Sequence, residues 1–279
     1  MIREFSDKVT YKLLSTKQSP IQDFHLHNFY EMFFLLEGEI NFYIHRSNYH
    51  VKAGSLIVMN DLEVHRAINP GNQEYKRIYI HIPPDFFNKY PCNGIDLSSC
   101  FKKRNTGEKN LILLDKSQMS YFVRQYNHIC DSEAYTAAGR ELLIDTYLLQ
   151  ILVVANNLFD QHTHTIPNEY SSEIRDVITY LELHLLDKIT LEALSNQLSL
   201  NKYYLCHRFK EETGTTIFNY LHLRRIAVAK SLLSDGKNVT EACYQSGFND
   251  YSNFITSFKK VTGITPKHYQ KQQSHSPGR

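Results

Sequence analysis

The sequence has no large excess of charge of either sign: 31 Lys and Arg face 29 Asp and Glu over 279 residues, a formal net charge of +2. This excludes a histone-like polycation or a chain dominated by a charged tail. Cysteine is scarce, and no two cysteines stand at zinc-site spacing. The five, Cys92, Cys100, Cys130, Cys206 and Cys243, are odd in number and far apart, which fits reduced thiols in a cytoplasmic protein better than a disulfide framework. Met1 to Leu14 mixes Arg3, Glu4, Asp7 and Lys8 into its apolar residues, so no apolar core of signal-peptide length is present. The longest apolar stretch, Leu142 to Phe159, is interrupted by Asp145, Thr146, Gln150, Asn156 and Asn157 and reads as too polar to cross a bilayer. The sequence also lacks G-x-S-x-G, a phosphate-cradling glycine loop and a Cys-His pair with a clear orienting partner, so no enzyme is expected.

What is present is enough for sizeable cores: 42% of residues are hydrophobic and 22% charged, and the length suits about two domains at roughly 100 to 200 residues each. The near-zero charge conceals an asymmetry. Residues 1–170 carry 17 Lys and Arg against 19 Asp and Glu, a net −2, whereas residues 171–279 carry 14 against 10, a net +4. The texture changes at the same place, from short β-branched and aromatic runs followed by two helical stretches to almost continuous helical periodicity. The expected organisation is a multidomain α+β chain. Residues 1–160 form an antiparallel β-barrel with two packed helices, 161–172 a polar linker containing a proline, and 173–279 an all-α domain.

The helical third repeats itself at an offset of 49 residues, which superposes Ala193 on Ala242, Asn201 on Asp250, Leu205 on Phe254, Phe209-Lys210 on Phe258-Lys259, Gly214 on Gly263 and Tyr220 on Tyr269. A period of this length marks a duplicated supersecondary unit. Each copy reads as a short helix, a tight turn, a good N-cap (Asn201 or Asp250) and a second helix ending before a glycine, which is a helix-turn-helix over about 190–212 and again over about 239–261. The second helices turn Lys202, Tyr203, Cys206, His207 and Lys210, or Tyr251, Ser252, Asn253, Thr256, Lys259 and Lys260, away from their apolar faces. These side chains offer the hydrogen bonds, methyl contacts and positive charge that double-stranded DNA requires. A long helix, Ile217 to Leu233, connects the copies and would hold the two reading helices at a fixed separation, which suits successive major grooves if it is about 34 Å.

The runs ITLEALSNQLSLNKYYLCHRFKEETG, RRIAVAKSLL and VTEACYQSGFNDYSNFITSFKKVTGITPKHYQ resemble the AraC/XylS family of bacterial transcription regulators over about 100 residues. The likeness includes Gly247, Phe248, Asp250, Ser252, Phe254, Phe258, Lys259, Lys260, Gly263 and Pro266. It departs at Gln270, where the family's motif usually has Arg. The resemblance implies seven helices, base-facing roles for Tyr203, Cys206, His207, Tyr251, Ser252, Asn253 and Thr256, and RNA polymerase as a partner. It also implies a sugar or related metabolite as the commonest effector and activation as the commonest outcome.

From Phe24 to Gly71 strands of five to eight residues are joined at Glu37-Gly38, Arg46 to Asn48, Ala53-Gly54, Asn60-Asp61 and Pro70-Gly71, as in an antiparallel barrel or sandwich. This half resembles the cupin-like sensory domain of the same family. His25, His27 and Glu31 share odd parity, so an unbroken strand would send them to one face, and His65 lies on a later strand. Their spacing resembles cupin metal motifs. The four residues suit a divalent transition metal or, without metal, a polar effector pocket. His45, His50 and His81 read as surface or strand residues. The helices at 116–131 and 136–159 either close the barrel or form a homodimer seam. Two other readings remain: a metal-dependent cupin enzyme with an accessory helical domain, and an effector-independent DNA-binding dimer.

Overall fold

Tyr30 to Glu37 is apolar at almost every position, a pattern that an extended segment tolerates only when both its faces are covered. The computed structural model, which describes residues 8–17, 23–71, 73–90, 94–161 and 170–274, shows how this is achieved. Strands β1 (Thr10–Thr16), β2 (Tyr30–Glu37), β3 (Glu39–Ile44), β4 (Ser47–Lys52), β5 (Ser55–Met59), β6 (His65–Ile68) and β7 (Tyr75–Ile82) precede two short helices, α1 (Phe86–Lys89) and α2 (Ser99–Lys102). Strand β8 (Leu111–Leu113) follows. They form a five-stranded sheet, β1-β7-β2-β5-β8, and a three-stranded sheet, β4-β3-β6, antiparallel throughout. Phe33, Leu35, Ile57 and Met59 of the larger sheet face Ile40, Phe42, Ile44 and Val51 of the smaller one. Met32, Phe34, Val58, Ile78 and Ile80 point the other way, onto two long helices.

Those helices are α3 (Lys116–Asp131) and α4 (Ala137–Gln161). Asp115 caps α3 through a reciprocal box with Gln118, so the helix begins where the sequence places it. By length and composition α4 would pass for a membrane span, so its polar interruptions do not decide the matter as the sequence suggested. Its apolar face, Leu148, Ile151, Leu152, Ala155, Leu158 and Phe159, is occupied by the sheet core. Its Asp145 accepts a 2.6 Å hydrogen bond from the Tyr90 hydroxyl.

After residues 162–169, which with Cys92 lie outside the described residues, come α5 (Ser172–Leu183), α6 (Leu191–Leu198), α7 (Lys202–Thr213), α8 (Ile217–Ser234), α9 (Val239–Gln245), α10 (Tyr251–Thr262) and α11 (Pro266–Ser274). Both copies of the repeat are built alike. Asn201 accepts from the Tyr203 and Tyr204 amides and Asp250 from the Asn253 amide, and each helix stops at a glycine in the left-handed region, Gly214 at φ 73° and Gly263 at φ 82°. Leu205 and Phe209 bury one helix, Phe254 and Phe258 the other, against α8 residues such as Ile226 and Ala229. Phe24, Leu26, Tyr43 and Val64 of the sheet domain join this same buried cluster, so the two halves share one apolar contact.

Candidate DNA-reading face and histidine cage

On α7, Lys202, Tyr203, His207 and Lys210 are exposed, with Tyr203 81% accessible, and Cys206 is half-buried. On α10, Tyr251, Ser252, Asn253, Thr256, Lys259 and Lys260 are all exposed. In a helix-turn-helix the N-terminal residues of the second helix are the ones that meet base edges. The cationic residues of the connecting helix are placed otherwise. Arg224 forms a two-pronged pair with Glu182 at 2.7 Å, Arg225 donates to the Leu185 and Asp187 carbonyls, and Lys230 is fully buried. Arg224 and Arg225 brace the helical domain and Lys230 turns inward, so none of the three joins the exposed residues of α7 and α10.

The sheet domain brings His25, His27, Glu31 and His65 into one cage. His25 and His65 exchange backbone hydrogen bonds of 3.0 and 3.1 Å as an isolated bridge, and Glu31 stands on β2. Ligand atoms of His25, His27 and His65 lie within 4.8 Å of one another. A fifth member joins them that the spacing did not reveal: His81 on β7 sits directly opposite Glu31 in the strand register, with its Nε2 3.4 Å from Glu31 Oε2. His81 is thus a strand residue, as the sequence suggested, but one that faces the cage. Phe29 stacks between His27 and His81, with centroids at 3.8 and 3.9 Å, and so orients both rings. His45 departs from the expectation of a surface or strand residue: it is buried in the β3–β4 turn at φ 50°.

The imidazole tautomers follow from their partners. Nδ1 of His25 lies 3.2 Å from the Asp23 carbonyl, that of His27 2.9 Å from Phe29 O, and that of His65 2.8 Å from Glu63 O. A carbonyl only accepts, so each Nδ1 carries the proton and each Nε2 presents a lone pair. Glu31 Oε2 lies 3.0 Å from Nε2 of His27 and 3.7 Å from that of His65. Burial pushes His27 down to about 3 and holds His25 well below the usual imidazole range, so neither readily supplies the missing proton. Burial works against the Glu31 carboxylate, and hydrogen bonding and charge from His27 and His81 are what hold this carboxyl well below its ordinary value; with the His27 proton on Nδ1 that donor is withdrawn, and a cation between Nε2 and Oε2 would replace it. Imidazole nitrogens of three histidines within 4.8 Å of one another, with the Glu31 carboxylate 3.0 Å from one of them, are a donor set for Zn²⁺ and its neighbours.

Beneath the cage, Glu63 and Arg104, both inaccessible to solvent, form a bidentate pair at 2.6 Å, and Glu63 also accepts from the Gly107 and Asn60 amides and from Asn110. This fixes the 60–65 segment from which His65 projects.

A sheet sensor joined to a duplicated helix-turn-helix defines a two-domain DNA-binding regulator. Residues 16–152 match the family model for the AraC-like ligand binding domain, and residues 194–272 match that for a helix-turn-helix domain. The chain belongs to the AraC/XylS family: it is an AraC-type DNA-binding regulator with an N-terminal ligand-binding domain. Similar proteins include the uncharacterized HTH-type transcriptional regulator YbfI of Bacillus subtilis (strain 168), 27% identical over 82% of this chain and 80% of that one. Another is YdeC of the same organism, 24% identical over 90% and 86%. Among solved structures, the C-terminal domain of the two-component response regulator yesN from Fusobacterium nucleatum is 35% identical over 36% of this chain and 99% of that one, with a TM-score of 0.34. ToxT from Vibrio cholerae is 15% identical over 97% and 100%, with a TM-score of 0.40.

Proposed function

We propose that the chain is a cytoplasmic transcription activator that reads two neighbouring major grooves and is controlled from the histidine cage. The single observation that carries the first half is the pair of equivalent, capped helices with exposed polar and aromatic N-terminal turns, 49 residues apart in sequence. Tyr203, Cys206, His207 and Lys210 serve one groove, and Tyr251, Ser252, Asn253, Thr256, Lys259 and Lys260 the other. In the second half, His25, His27, Glu31 and His65, joined by His81, take a divalent transition metal, for which the close approach of their nitrogen and oxygen atoms is the support. A sugar or related metabolite is the effector class that the family resemblance adds, and RNA polymerase the partner. The exposed Leu142 and Val153 on α4, 63% and 44% accessible, support a homodimer through the helices of residues 116–159. Nothing beyond the cage favours an enzyme, and the duplicated reader argues for DNA as the macromolecular partner.

Footprinting of the DNA upstream of the neighbouring operon tests the first half. Two protected segments about one helical turn apart on one face of the duplex are expected; protection no better than on random DNA would overturn it. For the cage, full-length protein purified without an affinity tag and stripped of metal should bind close to one equivalent of Zn²⁺, and His65→Ala should abolish this. Less than a tenth of an equivalent sinks the metal reading. A monomer by sedimentation at micromolar concentration removes the dimer.

A further inference from the structure

The wall of the cage is also the surface on which the reader docks. Segments 23–28 and 63–66 are joined by the His25–His65 bridge, and their side chains alternate. The odd positions, His25, His27, Glu63 and His65, point into the sheet domain. Of the even ones, Phe24, Leu26 and Val64 pack into the helical core. The remaining two, Asn28 and Arg66, make polar contacts with the reader. Asn28 Nδ2 donates to the Thr262 carbonyl at 2.8 Å, and Arg66 Nη1 donates to the Thr213 carbonyl, also at 2.8 Å.

Thr213 and Thr262 are 49 residues apart and therefore the same position of the repeat. They occupy the last turns of α7 and α10, and their hydroxyls bond alike, to Phe209 O and Thr215 O in one copy and to Phe258 O and Ile264 O in the other. Carbonyls at a helix C-terminus lack intrahelical donors and carry partial negative charge, so each accepts a side-chain donor well. At the first site the helix-ending glycine leaves room for the grip: a Cβ on Gly214 would stand where the Arg66 guanidinium lies and would make it swing away. Between the two grips, Lys230 of α8 donates to the His27 carbonyl at 2.8 Å and to the Asp61 carbonyl, and its ammonium lies 3.2 Å from the Asp61 carboxylate.

We propose that the sensor holds the two recognition helices by one side chain each, Arg66 on α7 and Asn28 on α10, and that these side chains carry cage occupancy to both helices. Each grip is the residue immediately after a cage histidine, His65 or His27, so a ligand that draws those two rings together displaces both grips through one peptide bond. The N-terminal turns of α7 and α10, with Tyr203 and Tyr251, are left clear. The outcome is a change in the relative setting of two readers that must meet two grooves at once. The transmission rests on the cage reading given above; the grip does not.

Hydrogen exchange of the full chain, read by mass spectrometry over peptides 208–216 and 257–265, tests both parts. Arg66→Met and Asn28→Asp keep the side-chain volume and remove the donor. Arg66→Met should speed exchange at least threefold in the first peptide and leave the second unchanged, and Asn28→Asp should do the reverse. Equal acceleration of both peptides by either variant, or none, overturns the grip. Zn²⁺ alone, with binding established by calorimetry, should change exchange in both peptides of the unsubstituted protein and in neither peptide of the double variant. Zinc bound without such a change overturns the transmission. Failure to bind zinc overturns the cage reading and the transmission with it, while the grip is still decided by the two variants.

Discussion

In α7, Lys202 pairs with Glu192, Arg208 pairs with Glu211 and Glu212, and Tyr204 bonds Glu173; α10 has no acidic residue from Tyr251 to Thr262 and exposes Lys259 and Lys260. The interiors of the two units match position by position, Leu205 and Phe209 against Phe254 and Phe258. Duplication has kept what packs and varied what faces outward. Cations already paired within the protein release fewer counterions on meeting phosphate, so Lys202 and Arg208 contribute less to backbone attraction than their charge alone suggests. Their equivalent tyrosines diverge as well: the Tyr220 hydroxyl bonds Glu182 within the reader at 3.0 Å, whereas that of Tyr269 bonds Asp61 of the sensor at 3.3 Å.

The sharpest way to break this comparison is at the shared core. Phe209→Ala and Phe258→Ala should each cost about 3–5 kcal/mol in denaturant unfolding, and a difference between them above about 2 kcal/mol would show that the copies are not energetically equivalent. Next comes base reading. Asn253→Ala or Thr256→Ala should lower discrimination at the half-site of α10 by about 1–3 kcal/mol, measured by competition with random DNA; an equal loss on both DNAs rejects base contact. The caps follow, with Asn201→Ala and Asp250→Ala each costing about 1 kcal/mol, and thermal unfolding that responds to only one of them would separate the two units. The smallest effect is electrostatic. Lys259→Ala should reduce the slope of log affinity against log salt by about one, and Lys202→Ala by less, because Glu192 already neutralises that cation. Equal slopes would refute the idea that Lys202 is already neutralised by Glu192.

Much of this architecture was legible in the residues because its signals are local. The caps at Asn201 and Asp250 lie within one turn of the helices they start, and the 49-residue offset repeats the same local pattern. The cage was legible as far as His25, His27, Glu31 and His65, where short spacing and parity apply. His81 escaped because what brings it to Glu31 is the pairing of β7 with β2, fifty residues apart in sequence, and register between distant strands leaves no periodic trace. Lys230 is buried by the docking of the two halves, where it bonds the His27 and Asp61 carbonyls, a contact that no local pattern on α8 announces. Asn28 and Arg66 bond backbone carbonyls, which every residue possesses, so nothing in the partner's sequence advertises the contact.

Lys230 has one further consequence. Burial makes its amine less basic, with the Asp61 carboxylate opposing that effect, and the docked halves screen it completely from solvent. An acylating reagent therefore meets this amine only in molecules whose two halves have parted. The mass added at this single lysine, followed over time, is a chemical clock for domain separation that needs neither DNA nor a known effector.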